Sequence, residues 1–535
     1  MLAWYDCLNH KLVAVMETGE VLVIDLFAGP GGLGEGISSV IHENGNKPFK
    51  IGVSVEKEPS AHTTLTTRAF YRKIKESPDA LEHYYQYVRG VMTKTDLFDL
   101  YTEQAKEAIK ETLEMPRALG KDNRLIHKRI RELITNHQGP KVVIGGPPCQ
   151  AYSLAGRSRN AGIKDYKAED DNRNFLYKEY LKVLSIAQPD VFVMENVRGI
   201  LSAKINGKII FPQILEDLKK PGRVTKIRGV PNYRVYSLVA EAENPNSPTY
   251  EDSTDFLIRS EKYGIPQARH RVILLGVRED IAQTPDTIPL AENEVAVRDV
   301  LSDLPPLRSG FSKQNDNQKD WGKKISSNSK LLKRILKKTF DKVQVEQLNL
   351  EPENGLERSE SKPFETQNNI PLHLENWYLE NSPGCVLNHA TRGHMTSDLI
   401  RYAFSAAYTE LNNGVSPKSR DYPAELAPAH DNWTSGSHAD RFRTQAANKP
   451  ATTVTSHISK DGHYFIHYGH YFIHYDPKQC RSLTVREAAR LQTFPDNYLF
   501  EGNRTQQYVQ VGNAVPPYLA QQIGKVVMAL LNQNV

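Results

Sequence analysis

The strongest chemical signal lies in GGPPCQAYS (145–153), where two glycines and two prolines precede Cys149. The run Val142–Ile144 predicts a strand that delivers the cysteine to the carboxyl end of a sheet, where parallel sheets place their sites. The prolines fix φ and stiffen the approach. A lone cysteine is most often a buried apolar side chain, but that role gives no reason to hold it so firmly. The pattern therefore favours a positioned thiol nucleophile.

A glycine-rich turn marks a second region that could do chemistry. The apolar run Val21–Phe27 leads into AGPGGLGEG (28–36), which contains the spacing GxGxxG. A strand, a glycine turn and a helix let the backbone approach an adenosine-containing cofactor closely. Glu56 ends the next predicted strand, where an acid can hold ribose hydroxyls. Neither feature separates a nicotinamide cofactor from another adenosine cofactor, so a nicotinamide oxidoreductase stays open on these residues alone.

The elements that must position these residues are short apolar runs that alternate with helical segments. Each run is rich in β-branched or aromatic residues and too short for a helix. The runs are Val21–Phe27, Ile51–Glu56, Val142–Gly146, Asp190–Glu195, Tyr233–Val239 and Arg271–Val277. This alternation predicts an α/β fold with a mostly parallel sheet.

Other segments depart from that alternation. A charged stretch, about 70–137, reads as surface helices and is longer than a simple crossover needs. Turn residues multiply after residue 281, and we expect Ser309–Lys330 to be polar and flexible. The basic cluster within Lys330–Lys338 fits a solvated helix face better than a phosphate-binding one. Helical periodicity returns in LTVREAARLQTF (483–494) and after Pro517.

Length, charge and composition limit the classes of protein to which this chain could belong. The 535 residues carry a net charge of +5, with 39% hydrophobic and 24% charged residues, which is ordinary for a globular protein. This length predicts two domains plus insertions. No stretch has the apolar length of a membrane span, and the first residues lack a secretory pattern, so we expect a cytoplasmic protein. The four cysteines are scattered, which predicts neither a disulfide framework nor a metal site.

One local repeat stands out. GHYFIHY occurs at 462–468 and again, identically, at 469–475. A unit of this length is too short for a structural repeat, so an in-frame duplication is the simplest account. We expect one copy to form a looped-out segment and activity to be retained.

The chemical motifs form a set with a fixed order. They are DLFAGPGG, GGPPCQ, ENV (195–197), QARHR (267–271), RSLTVREAARLQTFPD (481–496) and QVGNAVPP (510–517). Together they resemble the cytosine-carbon-5 methyltransferase family over roughly residues 20–278 and 450–530. The resemblance implies a Rossmann-like domain that depends on S-adenosylmethionine, with a smaller target-recognition domain.

That resemblance also implies boundaries. The catalytic domain would span 20–280 with the helical insertion at about 70–137. The target-recognition domain and its linkers would span 281–479. The segment 480–535 would return to the catalytic domain.

The family chemistry assigns roles to five residues. Cys149 would attack carbon 6 of cytosine, because carbon 5 alone is a poor nucleophile. Glu195 would carry or share a proton at ring nitrogen 3. Arg271 would hold the carbonyl oxygen of the base, with Arg269 supporting the loop or a phosphate. Asn196 would orient the neighbouring loop.

The resemblance further implies a binding site for S-adenosylmethionine. Its predicted residues are Asp25, Phe27, Gly29, Gly31, Gly32, Glu56, Asn513 and Val515. Many relatives have an aromatic residue after the acid of the second strand, where this chain has Lys57. A further acid that contacts the cofactor has no secure position, and Asp96 is the candidate.

The expected substrate is double-stranded DNA, with the target base flipped out of the helix. We expect a cytoplasmic, nucleoid-associated monomer of a restriction-modification system, with a possible cognate restriction endonuclease that acts separately.

Two alternative functions remain open. A tRNA cytosine-5 methyltransferase would carry a cysteine-containing recognition motif that this chain lacks. An inactivated nucleic-acid-binding homologue is favoured by the duplication but opposed by the presence of Cys149, Glu195 and Arg271.

Overall fold

A seven-stranded sheet is the centre of the fold. The computed structural model describes residues 19–148, 173–205, 207–362, 370–428, 433, 442–460 and 471–532. The strands of the first half are β1 (Val21–Leu26), β2 (Phe49–Val55), β3 (Lys141–Gly145), β4 (Val191–Val197), β5 (Lys204–Ile205), β6 (Lys208–Ile209), β7 (Tyr233–Tyr236), β8 (Leu257–Arg259), β9 (Gln267–Ala268) and β10 (His270–Arg278). All six predicted strands are present, with ends that differ by up to three residues.

The strand order in the sheet is β2-β1-β3-β4-β10-β7, with β8 also beside β10. The first four strands in this order run parallel to one another, so their carboxyl ends meet at one edge. Strand β10 is antiparallel to β4, β7 and β8. The predicted α/β fold with a mostly parallel sheet is confirmed.

Helices cover both faces of this sheet, which is why every residue of β1 is buried. The helices of the first half are α1 (Gly32–Ser38), α2 (Pro59–Ile74), α3 (Pro78–Val88), α4 (Lys94–Leu100), α5 (Thr102–Glu111), α6 (Asn123–Thr135), α7 (Arg173–Ala187), α8 (Phe211–Lys219) and α9 (Pro221–Thr225). On one face α1 packs with the C-terminal helix Pro517–Asn532, through Ile37 and Ile523. On the other face α6 and α7 contribute Ile130 and Tyr180.

The charged stretch at about 70–137 forms helices, as the sequence predicts. Helices α3, α4 and α5 share a core with the end of α2, built around Phe70, Tyr84 and Leu97. Polar contacts also tie this insertion to distant parts of the chain. The Tyr87 hydroxyl donates to Glu501 Oε1 at 2.5 Å. Arg89 donates to the carbonyl oxygen of Pro383 at 2.6 Å. Helices α3–α5 and the residues between them therefore connect the region of the central sheet with later segments of the chain.

The second half is built from short strand pairs and further helices. Its elements are α10 (Val297–Leu301), β11 (Gly310–Phe311), α11 (Gln318–Leu336), α12 (Lys342–Gln347), α13 (Leu372–Leu379), β12 (Gly393–His394), α14 (Thr396–Leu411), β13 (Phe442–Thr444), β14 (Ala451–Thr452), β15 (Tyr471–Ile473), α15 (Val485–Leu491), α16 (Arg504–Asn513) and α17 (Pro517–Asn532). Helix α11 packs against α14. No helix in the described ranges is long and apolar enough to span a membrane.

The flexibility predicted for Ser309–Lys330 is wrong, because α11 begins within it. The Asn317 side chain caps this helix by accepting from the Asp320 amide. Trp321 and Ile325, one helical turn apart, are buried in a core between α11 and α14. Polar residues between these apolar positions hid the periodicity. In the basic cluster, Lys333 and Lys337 pair with Glu346.

The second copy of GHYFIHY contributes β15, which pairs in parallel with β13. Phe472 and Ile473 of this copy are buried. The first copy, 462–468, lies outside the described residues, and so does the predicted loop-out.

Candidate active site

A cavity of about 1610 Å³ lies where the parallel strands end. Most of the predicted site residues line it. They are Asp25, Phe27, Gly29, Glu56, Glu195, Asn196, Arg269, Arg271, Asn513 and Val515. Cys149 lies outside the described residues, but Pro147 and Pro148, which directly precede it, are part of the cavity wall. Residues from five of the six motifs thus meet at one edge of the sheet, while RSLTVREAARLQTFPD (481–496) contributes none to the cavity wall.

The turn after β1 has an unusual backbone. Phe27 has a φ of 55°, and Gly29 and Gly31 have φ of 58° and 100°. A positive φ is strained for a residue with a side chain and persists only when neighbouring structure enforces it. The amide of Gly29 donates to Glu56 Oε2 at 2.8 Å, which ties the turn to the end of β2.

Gly31 and Gly32 end the turn and are not among the residues that line the cavity. A Cβ atom on Gly32 would lie 2.3 Å from the carbonyl oxygen of Val515. Glycine therefore lets the start of α1 pack directly against the backbone of the C-terminal segment, where Val515 lines the cavity. Close packing against Val515 therefore accounts for the glycine at position 32, and no contact between Gly32 and a ligand is needed to explain it.

Glu56 is held by backbone amides. Its carboxylate accepts from Gly29, and also from Lys57 and Glu58 at 2.8 and 2.7 Å. Burial raises the pKa of Glu56 above its usual range, and these bonds oppose that effect. The carboxylate is thereby fixed in place at the cavity wall.

The wall beside Glu56 is formed by Lys57 and by the segment 117–121. The amide of Arg117 donates to the carbonyl oxygen of Glu56. Asp96, the candidate for a further cofactor acid, does not contribute to this wall. It is exposed and caps α4 together with Thr93.

Asp25 is a buried carboxyl group without a partner. Only 1% of it is exposed, and neither carboxyl oxygen has a hydrogen-bond partner among the described residues. Burial raises the pKa of Asp25 to about 8, and the charge of Glu56 adds to the effect. An unpaired buried polar group is costly. This wall therefore fits a ligand that brings hydrogen-bond donors.

Glu195 and Arg271 form the polar centre of the cavity. Arg271 Nε lies 2.9 Å from Glu195 Oε1, and both side chains retain limited exposure. The Arg271 Nη1 also donates to the carbonyl oxygen of His270 at 2.8 Å. Burial lowers the pKa of Arg271, and Glu195 opposes that effect.

Asn196 connects β4 to the proline loop. Its Nδ2 donates to the carbonyl oxygen of Pro147 at 3.1 Å, and its Oδ1 accepts from the amide of Val197 at 2.9 Å. The buried side chain thus fixes the backbone two residues before Cys149.

Arg269 has a different environment from Arg271. It is 2% exposed and donates to the carbonyl oxygens of Val454 and Gly512 at 2.7 and 3.2 Å. These contacts brace two segments from the end of the chain against the sheet domain. Of the two roles predicted for Arg269, loop support agrees with this geometry and phosphate contact does not.

Sequence reasoning missed one part of the wall. The hydroxyl-bearing residues Thr453, Thr455 and Ser456, followed by His457, also line the cavity. The hydroxyl-rich run TTVTSH (452–457) was the sequence signal that could have predicted it.

The segment NHATRGH (388–394) does not line the cavity. Its residues His389, Thr391 and His394 are buried, which is typical of a structural segment.

Comparison with known proteins decides the family. The sequence pattern of the C-5 cytosine-specific DNA methylases matches residues 100–529. The chain belongs to this family. It is 34% identical to the type II methyltransferase M.Bpa9945I of Bacillus paralicheniformis, over 96% of this chain and 99% of the relative. It is 27% identical to the type II methyltransferase M1.HphI of Haemophilus parahaemolyticus, over 77% and 73% of the two chains.

A solved structure agrees in fold. It is described as a DNA modification methyltransferase encoded within a prophage (E. coli), with a TM-score of 0.51 and 19% identity over 96% of this chain and all of that one. The resemblance stated from the motifs is confirmed, and the chain is a DNA (cytosine-5-)-methyltransferase. The nicotinamide oxidoreductase suggested by the glycine turn alone is thereby wrong.

Proposed function

We propose that this enzyme transfers the methyl group of S-adenosylmethionine to carbon 5 of a cytosine turned out of double-stranded DNA into the cavity. The supporting observation is that one cavity holds the Glu195–Arg271 pair, the proline loop before Cys149 and the unpaired Asp25. Carbon 5 is inaccessible inside a stacked duplex, so the base must leave the helix to react.

The chain's own residues would activate the base. The thiolate of Cys149 forms a bond to carbon 6, which pushes electrons toward carbon 5 and makes it nucleophilic. Glu195 supplies a proton at ring nitrogen 3 and so neutralises the charge that develops there. Arg271 donates to the carbonyl oxygen of the base. Once carbon 5 carries the methyl group, it gives up its proton to solvent, and the electrons of that bond expel the thiolate from carbon 6. Glu195 then recovers its proton from ring nitrogen 3.

Two residues would position this chemistry without touching the base. Asn196 holds the carbonyl of Pro147 and hence the start of the cysteine loop. Arg269 braces the backbone at Val454 and Gly512.

The other end of the cavity suits the cofactor. S-adenosylmethionine, when bound, supplies an electrophilic methyl group. Glu56 would accept from its ribose hydroxyls, and Asp25 would accept from donor groups of the cofactor, since no described residue donates to it. Phe27, Gly29, Asn513 and Val515 would complete the wall. Gly31 and Gly32 would act through the shape of the turn.

The wider assignments remain proposals. The catalytic domain would span 20–280, target recognition 281–479, and the returning segment 480–535. The relatives named as type II methyltransferases support a role in a restriction-modification system. A separate cognate endonuclease, a monomeric state and a nucleoid-associated location in the cytoplasm stay predictions.

A transfer assay tests the proposal. The purified protein is incubated with methyl-labelled S-adenosylmethionine and either unmethylated DNA or tRNA, and the nucleic acid is hydrolysed to identify the labelled base. We expect 5-methylcytosine from DNA only, its loss in Cys149→Ser, and its retention in Cys385→Ser, a control at a half-buried thiol. Label in tRNA alone would indicate the RNA alternative. Cofactor binding without transfer would indicate an inactivated homologue.

A further inference from the structure

Tyr498, which is not among the residues that line the cavity, contacts the glycine-rich turn through its hydroxyl group. The hydroxyl of Tyr498, which is fully buried, donates to the carbonyl oxygen of Pro30. Pro30 lines the cavity and directly precedes Gly31. A Cβ atom on Gly31 would lie 3.0 Å from the Tyr498 hydroxyl, so turn and tyrosine are in close contact. No role in the predicted chemistry accounts for this tyrosine.

The tyrosine is itself held by a buried arginine. The guanidinium carbon of Arg68 lies 4.6 Å from the ring centre of Tyr498 and 4.0 Å from that of Tyr71. Arg68 also binds Glu35 with two hydrogen bonds, of 2.9 and 2.6 Å. The amide of Glu35 donates to the carbonyl oxygen of Gly31, within the first turn of α1. Arg68 therefore contacts both Tyr498 and the helix that follows the glycine turn.

Glu35 and Arg68 both carry their charges at neutral pH. Burial alone would raise the pKa of Glu35. The charge and hydrogen bonds of Arg68 have a larger effect in the opposite direction and lower this pKa to about 2. The same pairing raises the pKa of Arg68. The ion pair is thus present at neutral pH.

We propose that Tyr498 is a positioning residue that holds the glycine-rich turn in its cofactor-binding conformation, and that Arg68 and Glu35 hold Tyr498 in place. The backbone of the turn supplies the reason. Phe27 has a positive φ, and such a strained conformation persists only where surrounding contacts enforce it. The Glu56 carboxylate holds the turn by the amide of Gly29, and the Tyr498 hydroxyl holds it by the carbonyl oxygen of Pro30.

The chain offers a matched control. Tyr378 is also fully buried, its hydroxyl donates to the carbonyl oxygen of Arg490 at 2.7 Å, and the Arg490 guanidinium lies 5.1 Å from its ring centre. Tyr498→Phe and Tyr378→Phe each remove one hydrogen bond to a carbonyl and keep the ring. Only the first of these bonds reaches the cofactor turn.

The experiment measures the affinity of the full-length variants for S-adenosylmethionine by calorimetry, together with KM for the cofactor, kcat, and Tm with and without cofactor. We expect Tyr498→Phe to weaken binding and raise KM by about three- to tenfold, with kcat at saturating cofactor nearly unchanged. Tyr378→Phe should lower the Tm of the free protein without changing cofactor affinity.

The inference rests on the proposed cofactor site, but different experimental results would contradict the site and the role of Tyr498. Failure of the unsubstituted protein to bind S-adenosylmethionine would overturn the site itself. Normal binding by Tyr498→Phe, or equal losses in both variants, would overturn the role of Tyr498 and leave the site standing. Arg68→Lys, which keeps the charge but loses the two-pronged contact, should weaken cofactor binding in the same direction as Tyr498→Phe.

Discussion

Arg271 Nε lies 2.9 Å from Glu195 Oε1, although the two residues come from separate motifs. The antiparallel register of β4 and β10 places Arg271 opposite Val197 and Ile273 opposite Glu195. The two charged side chains are therefore diagonal neighbours on one face of the sheet. A cytosine in the cavity would have to replace this ion pair with contacts to its ring nitrogen and carbonyl oxygen. The charge balance within the pair and the proposed recognition of the base would thus use the same groups.

The two arginines of QARHR should respond differently to substitution. We expect Arg271→Gln to lower kcat by about 100-fold or more, because it removes a donor to the base, with little change in Tm. Arg269→Gln should instead destabilise the fold by roughly 2–4 kcal/mol, since two buried carbonyl oxygens lose their donor. Kinetics and thermal unfolding of both variants test this. A large loss of stability in Arg271→Gln with an intact fold in Arg269→Gln would contradict the assignment.

Asn196 should affect the chemical step rather than ligand binding. Asn196→Ala removes the bond to the carbonyl of Pro147, so the loop that carries Cys149 would lose its anchor. We expect kcat to fall by about 10- to 100-fold while the affinities for cofactor and DNA stay close to those of the parent. Single-turnover kinetics and equilibrium binding separate these quantities. A comparable loss of cofactor affinity would show that Asn196 acts elsewhere.

Asp25 should make the stability of the ligand-free protein depend on pH. Burial holds its pKa at about 8 in the folded state, against 3.8 as the ordinary value. The folded state then keeps a proton that the unfolded chain has lost, so the free energy of unfolding falls as the pH rises from about 4 to about 8. Asp25→Asn removes this penalty. We expect it to be more stable than the parent by roughly 1–3 kcal/mol near pH 8, and about equal near pH 4.

Denaturant unfolding at both pH values measures this difference. The same variant should bind S-adenosylmethionine more weakly, because an amide is a poorer partner for donor groups than a carboxylate. A stability gain that is the same at both pH values would contradict a protonated Asp25 in the ligand-free protein.

The duplicated segment allows a paired test. Deleting either copy of GHYFIHY gives the same sequence, so a deletion cannot tell which copy is used. Phe472 of the second copy is buried, and Phe472→Ala should cost about 3–5 kcal/mol. Phe465→Ala, the same change in the first copy, should cost much less. Equal costs would show that both copies contribute to the core.

The effect of the duplication on activity needs the deletion itself. We expect a chain that lacks one copy to methylate DNA about as well as the parent. A large rise in methylation rate on deletion would show that the extra seven residues damage the enzyme.

Local sequence signals were sufficient to predict six of the seven strands of the sheet, but not the short strand β8 (Leu257–Arg259). The six strands are short β-branched or aromatic-rich runs, and the rule that sites lie at the carboxyl ends of parallel strands predicted the position of the cysteine loop. Glu195 was predicted from the family resemblance. The motifs then supplied most residues of the cavity wall. None of this required knowledge of contacts between distant segments.

Features that depend on such contacts could not be predicted. Helix α11 looks polar in sequence, and the burial of Trp321 depends on its packing against α14. The role of Arg269 depends on the carbonyl oxygens of Val454 and Gly512, which come from much later in the chain. The reversed direction of β10 likewise follows from its neighbours, since an apolar run does not encode its own orientation.

The most direct test of the central claim is to trap the enzyme on its base. DNA that carries 5-fluorocytosine in place of cytosine is incubated with the enzyme and S-adenosylmethionine, because fluorine at carbon 5 cannot leave as a proton does. The predicted result is a protein–DNA adduct that survives denaturation, requires the cofactor, maps to Cys149, and is absent in Cys149→Ser but present in Cys385→Ser. An adduct that persists in Cys149→Ser, or no adduct with an enzyme that methylates ordinary DNA, would contradict the proposed mechanism.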